Sequence, residues 1–280
     1  MSNILAHGTR HTITRVAGYL VLTALAVFTA FPFVWMVLTS IRPGPTVFTG
    51  GFLPNQVTFA AYYQVWMNVD LPRHFLISIW ITAATVLAVV FLATLAGYSF
   101  AHLAFPAKRT IYLVLLSTML LPGTAVIVPL FLELKQLQLL DTSTGLILVY
   151  IGTSLPFAMF LMRAFFETLP GELRDSAKVD GAGEFRIFWS VMLPLAGPGV
   201  ATLVIFQFMF TWNEFILANT LVQTPEKLPL QPVLYALKGQ HATAWPVVTA
   251  ALVISVVPIV IVYVRMQRQF VAGLTMGALK

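Results

Sequence analysis

Residues 75–95 read FLISIWITAATVLAVVFLATL, with no Asp, Glu, Lys or Arg among them. The run is long enough to span a bilayer as a helix, which takes roughly 20 apolar residues. Five further runs approach or exceed that length, at residues 16–38, 111–132, 146–166, 199–221 and 246–264, and the 75–95 run extends without charge to Tyr98. Pro122 and Pro129 fall in the third, Pro156 in the fourth and Pro258 in the sixth. Spanning helices tolerate proline where neighbouring helices or water satisfy the freed carbonyls. The expectation is an all-α, polytopic membrane protein with six transmembrane helices.

The whole chain agrees. Of its 280 residues 59% are hydrophobic and 9% charged, against about a quarter charged in a soluble domain. Too few polar side chains remain to cover a soluble surface, so lipid is the solvent for the remainder. The net charge is +6; the basic residues are few and flank apolar runs, so topology explains them better than nucleic acid does. Cysteine is absent, which excludes disulfides, thiol catalysis and cysteine metal sites.

The first run follows Arg10 and Arg15 and contains Ala24-Leu25-Ala26, as a signal peptide does. It continues to Leu38, beyond an h-region of about 7–15 residues, and reads as an uncleaved helix. One set of loops and tails holds 11 of the 16 Lys and Arg, among them Lys108, Arg109, Arg163, Arg174, Lys178 and Arg186; the other holds Arg42, Arg73, Lys135, Lys227 and Lys238. The positive-inside rule therefore places both termini in the cytoplasm. The expected organisation is one membrane domain over 1–280, with cytoplasmic tails at 1–15 and 265–280 and a cytoplasmic loop at 167–198.

That loop is the most informative segment. It carries half of the ten acidic residues: Glu167, Glu172, Asp175, Asp180 and Glu184. Pro170 can open a helix, Glu172 sits where the helix dipole favours an acid, and Gly181 offers a left-handed turn without strain. After it Phe185, Phe188, Trp189 and Met192 predict one apolar stripe of a second short helix. Pro194 is expected to close that helix, and Gly197-Pro198-Gly199 to form a flexible return. Two readings fit: an amphipathic helix on the lipid headgroups, or a docking element for a cytoplasmic partner.

The segment resembles the EAA loop of ABC importer permeases. Asp175-Ser176-Ala177 stands where the pattern has Glu-Ala-Ala, followed by Asp180-Gly181-Ala182 and a downstream Leu193-Pro194. Trp212-Asn213-Glu214-Phe215, residues 269–275 (QFVAGLT) and the ending Gly277-Ala278-Leu279-Lys280 are similar to the maltose-type carbohydrate importer permeases. The resemblance implies a type I importer permease fold whose loop is a coupling helix. It also implies a second homologous permease subunit, a pair of cytoplasmic ATPase subunits and an extracytoplasmic solute-binding protein, with a sugar or sugar-like solute. Glu172, Asp175, Ser176, Ala177, Asp180, Gly181 and Ala182 would then form the ATPase-coupling element. The external segment before Trp245 and the C-terminal tail are further candidate contacts.

Glu214 is the one acidic residue well inside an expected span, and a charge there costs about 2.5–3.5 kcal/mol on insertion scales. It would face the bundle interior. Trp212, Asn213, Glu214 and Phe215 are candidates for the solute path, with Trp212 stacking on a sugar face. A structural hydrogen bond between helices, or a place at the outer interface, is the plainer reading of Glu214. Trp35 and Trp245 suit interface anchors. His74, His102 and His241 have no partner at metal-ligand spacing.

No G-x-x-x-x-G-K-[ST], H-E-x-x-H or G-x-S-x-G string occurs. A non-catalytic subunit with no cofactor is expected, the ATP being hydrolysed on another chain. A stand-alone secondary transporter or channel would show ionisable pairs within spans and inverted repeats; neither is visible.

Overall fold

A computed structural model describes residues 2–47, 49, 51–238 and 244–278. His241, Leu279 and Lys280 lie outside the described residues, as do the side chains of Arg10 and of residues 270–278. The helices are α1 (Ser2–Ser40), α2 (Ala60–Met67), α3 (Leu71–His102), α4 (Lys108–Ser117), α5 (Ile127–Gln136), α6 (Ser143–Phe166), α7 (Gly171–Val179), α8 (Glu184–Ile187), α9 (Leu193–Leu195), α10 (Gly197–Asn213), α11 (Ile216–Leu221), α12 (Leu230–Ala236) and α13 (Trp245–Ala278). Among the described residues, four helices are long and apolar enough to cross a membrane, and two bent pairs raise the number to as many as six.

Contacts divide the chain into two units: Met1–Val69 with Leu237–Ile254, and Asp70–Ala236 with Ser255–Lys280. In the first, α1 ends where the Ser40 and Tyr62 hydroxyls share a 2.9 Å hydrogen bond. Phe31, Trp35 and Phe52 form a ring cluster beside it, with centroids 5.8–6.3 Å apart.

The second unit is built around α3 and α6. Pro72 occupies the first turn of α3, where its missing N–H breaks no helical bond. Two apolar clusters set the register. Ile81 packs with Leu146, Val149 and Tyr150, while Val89, Ala93 and Tyr98 pack with Ala158, Met162 and Phe166. The two helices therefore run parallel, and the chain between them must return across the same thickness. The α4–α5 segment makes that return. Arg163 of α6 lies over the Tyr112 ring of α4 at 4.0 Å. α10 runs against α6: its early Gly199 faces Phe165, and its later Gln207 donates to Ser154 at 3.1 Å.

In lipid, apolar side chains gain little by leaving one apolar solvent for another, so helix association rests on close packing over small residues. Gly97 is such a contact. A Cβ there would stand 2.6 Å from the Met162 Cβ and 2.8 Å from the Arg163 nitrogen.

The structure corrects several span boundaries. Residues 111–132 are not one helix: Lys108–Leu120 and Gly123–Gln136 meet at 97°. Pro122 has no N–H to carry the ladder through that point. Residues 199–221 divide into α10 and α11, because Glu214 is extended at φ −68°, ψ 128°. Gly197-Pro198-Gly199 is no flexible return; it forms the first turn of α10, which leaves α9 at 75°. The final helix continues past Val264 to Ala278, and α1 is helical from Ser2, through residues expected to be tails.

Beyond the spans, Asp141 braces the loop before α6 against the segment after α11. Its carboxylate accepts from the Gln223 and Thr224 N–H groups at 2.8 and 2.9 Å, the Thr224 hydroxyl at 2.6 Å and the Lys227 ammonium at 2.8 Å. Burial opposes the Asp141 charge, but the Lys227 and Thr224 bonds hold the carboxyl well below the usual carboxylate range.

Gly97→Ala is expected to destabilise the α3–α6 pair by roughly 1–3 kcal/mol, the range for overpacking. Gly152→Ala, where an added Cβ meets nothing within 4 Å, serves as the control. Denaturation of the purified protein in mild detergent checks this; equal stability of the two variants would contradict it.

Candidate functional site

α7 is an unusual helix: none of its residues is buried. Pro170 precedes it in an extended conformation, so the helix opens at Gly171, and Glu172 lies in the first turn as the dipole favours. Leu173 is exposed, and Val179 is 88% exposed. Apolar side chains displayed on a polar helix suit a surface that is covered by something else.

The helix ends in a Schellman turn. Asp180 is the C-cap, and Gly181 has φ 79°. The Gly181 N–H donates to Lys178 O and the Ala182 N–H to Ala177 O, each at 3.0 Å, the paired bonds that define the motif. Ala177 and Ala182, which flank the turn, pack against the apolar cluster of α3 and α6. The Ser176 hydroxyl donates to Glu172 O at 2.8 Å. Asp175 and Asp180 are exposed. The structure thus gathers the sequence-selected residues into one helix-and-turn. Ala177 and Ala182 face inward, and Glu172, Asp175 and Asp180 face outward.

What holds α7 in place is a residue that the sequence reading left among the loop's acids. Glu184, in the first turn of α8, is the shared partner of three side chains. Its Oε1 accepts from Arg174 at 2.7 Å and Lys178 at 2.9 Å, and its Oε2 accepts from the Tyr98 hydroxyl of α3 at 2.8 Å. Tyr98 itself packs among His102, Phe166 and Phe188, with centroids 5.1–5.5 Å away. A shift of α7 is therefore felt at α3 through one carboxylate. The sequence signal was the i, i+4 spacing of Arg174 and Lys178, which turns two cations to one side of α7.

The expected stripe is corrected here. Phe188 and Met192 are buried, joined by Ile187, while Phe185 and Trp189 are exposed. Phe188–Met192 is a π-helical turn, with the Leu193 N–H donating to Phe188 O. Pro194 cannot donate to the carbonyl four residues back, and the wider turn rotates Trp189 off the buried face. Pro194 does not close the helix, which continues through Leu195.

The second candidate region is the break between α10 and α11. Glu214 accepts from the Leu217 N–H at 2.8 Å, the Ala218 N–H at 3.0 Å and the Tyr150 hydroxyl at 2.7 Å. One carboxylate thus caps α11 and ties it to α6. Trp212 is 2% exposed. It donates to Ser255 O at 3.1 Å and lies between Phe75 (edge-on) and Phe208 (stacked), each 5.6 Å away. Phe215 packs on Tyr235 at 4.9 Å. Asn213 is exposed, with its amide donating to Met209 O. In this conformation Trp212 and Glu214 are engaged with protein groups, and Asn213 is exposed.

Glu214→Ala is expected to destabilise the protein by roughly 1–3 kcal/mol for each donor left buried and unpaired. Tyr150→Phe, which removes one of the three donors, should cost less. Detergent unfolding of both variants checks the order; a Tyr150→Phe loss as large as that of Glu214→Ala would contradict the capping role.

Comparison with known proteins agrees with this geometry. Residues 90–276 match the family described as binding-protein-dependent transport system inner membrane component. The chain is 33% identical over 91% of its length to the diacetylchitobiose uptake system permease protein NgcG of Streptomyces coelicolor, covering 85% of that protein. It is 34% identical over 95% of its length to the trehalose transport system permease protein SugB of Mycobacterium tuberculosis, covering 98% of it. A chain in the crystal structure of a bacterial ABC transporter involved in the import of the acidic polysaccharide alginate superposes with a TM-score of 0.79 at 27% identity, over 92% of this chain and 96% of that one. With a polytopic helical body and this match over two thirds of its length, the chain belongs to the binding-protein-dependent transport system inner membrane components: it is a multi-pass, non-catalytic permease subunit of an ABC importer.

Proposed function

We propose that this subunit lines, with a second homologous permease, the membrane path for a carbohydrate delivered by an external solute-binding protein. α7 docks on one subunit of a cytoplasmic ATPase pair. The observation that carries the docking assignment is an apolar-tipped helix with no buried residue, ended by a glycine at positive φ and fastened to α3 through Glu184. Carbohydrate as the solute class rests on relatives named for diacetylchitobiose and trehalose uptake.

The mechanism follows from that fastening. The α7 face of Glu172, Asp175 and Asp180 meets the ATPase. When the ATPase pair closes on ATP, α7 moves, and the Arg174 and Lys178 bonds to Glu184 carry the displacement to Tyr98 of α3. Three donors on one carboxylate transmit force because α7 cannot shift without stretching or breaking charge-assisted bonds. The helix break at Glu214 and its neighbours Trp212, Asn213 and Phe215 form part of the path that the movement opens. Both termini are cytoplasmic on the excess of Lys and Arg in their set of loops.

Gly181 gives the sharpest test. An added Cβ meets nothing within 4 Å there, so the φ of 79° alone restricts substitution. Gly181→Val strains the turn by roughly 1–2 kcal/mol, whereas Asn tolerates left-handed backbone. In proteoliposomes holding the full importer, Gly181→Val should hydrolyse ATP without matching solute uptake, and Gly181→Asn should retain coupling. Full uptake by Gly181→Val would contradict the docking-turn assignment.

A further inference from the structure

The unit formed by Met1–Val69 and Leu237–Ile254 has no Asp or Glu in its sequence, yet Arg42 is buried in it at 2% exposure. Its Nη2 donates to the carbonyls of Gly51 and Phe52, and its guanidinium lies 5.5 Å from the centre of the Trp35 ring. Carbonyl dipoles and a ring face stabilise the cation but leave its net charge unanswered. The Nε N–H is buried and has no partner.

Arg42 also lines two cavities. One, of about 360 Å³, has Thr58, Gln64 and Trp245 among its walls; the other, of about 300 Å³, has Thr46, Asn55 and Gln56. Both lie at the lower end of the range for small-molecule sites. The larger joins a buried cation to an indole ring, an exposed amide and a hydroxyl.

We propose that this cavity is a receiving site for a sugar acid. Arg42 takes the carboxylate, Trp245 covers the apolar face of the sugar ring, and Gln64 and Thr58 bond its hydroxyls. The assignment rests on the carbohydrate-importer reading above and narrows it to acidic sugars. The ligand carboxylate supplies the negative charge that the unit lacks, through a charge-assisted bond to the guanidinium. Neutral sugars of the same shape do not meet that requirement.

The test uses the complete importer in phosphatidylcholine nanodiscs, titrated calorimetrically with sodium galacturonate and, in parallel, with galactose. Galacturonate should bind about tenfold tighter or more, and added NaCl should weaken galacturonate alone. Arg42→Gln should abolish the preference. Because Arg42 also holds the Gly51 and Phe52 carbonyls, Gln64→Leu provides the second variant. It leaves those bonds in place, should assemble at wild-type yield and should weaken both sugars several-fold. Equal affinities, a preference that survives Arg42→Gln, or a phospholipid retained through Arg42 that galacturonate cannot displace would each overturn the site. Uptake of a neutral sugar without galacturonate binding overturns this site and leaves the importer reading standing. Galacturonate binding with no sugar uptake at all overturns the importer reading and leaves the anion site.

Discussion

Where a helix stops inside this chain, the backbone N–H and C=O groups it releases have no water to turn to in a hydrocarbon layer. The protein answers with side chains placed at the stops. Glu214 takes the first N–H groups of α11; outside the spans, Thr142 takes that of Gly145 at the start of α6, and Asp141 takes those of Gln223 and Thr224 after α11. A chain with only ten acidic residues uses two of them as backbone caps and a third, Glu184, as the clamp of its exposed helix. Scarce carboxylates sit where the geometry changes direction, and this makes a broken, bent bundle stable where a straight one would need no such groups.

The same economy fastens the exposed helix to the membrane body. Glu184 answers two cations of α7 and the phenol of α3 at once, so the exposed helix and the membrane body share one charged centre. The Schellman turn at Gly181 then fixes the direction in which α7 leaves that centre, with Ala177 and Ala182 seated on the body. The π-helical turn at Phe188–Met192 seats the far side of the segment.

Much of this was legible beforehand, for definite reasons. The long spans announce themselves through uncharged apolar runs, as at residues 75–95, and the turn at Gly181 through the one residue type that takes positive φ without strain. The sharp bend at Pro122 was half legible: the proline was visible, but hydropathy counts residues and is blind to angles. The break at Glu214 was illegible as a break, since Trp212-Asn213-Glu214 contains neither Gly nor Pro and its cause is a carboxylate reaching forward to two N–H groups. The π-helical turn was missed because the 3.6-residue pattern assumes bonds four residues apart. Glu184 was missed as a centre because Tyr98 lies 86 positions away, and Arg42 because burial of a lone cation cannot be read from a loop sequence.

On the proposed docking, the ATPase covers α7 and its turn. The chain contains no cysteine, so Val179→Cys, at a side chain 88% exposed, is a single reporter. Its rate of reaction with a water-soluble maleimide should be compared in the complete importer and in the permease pair stripped of ATPase. Strong protection in the complete importer is the predicted result. Equal reactivity in both would contradict the account.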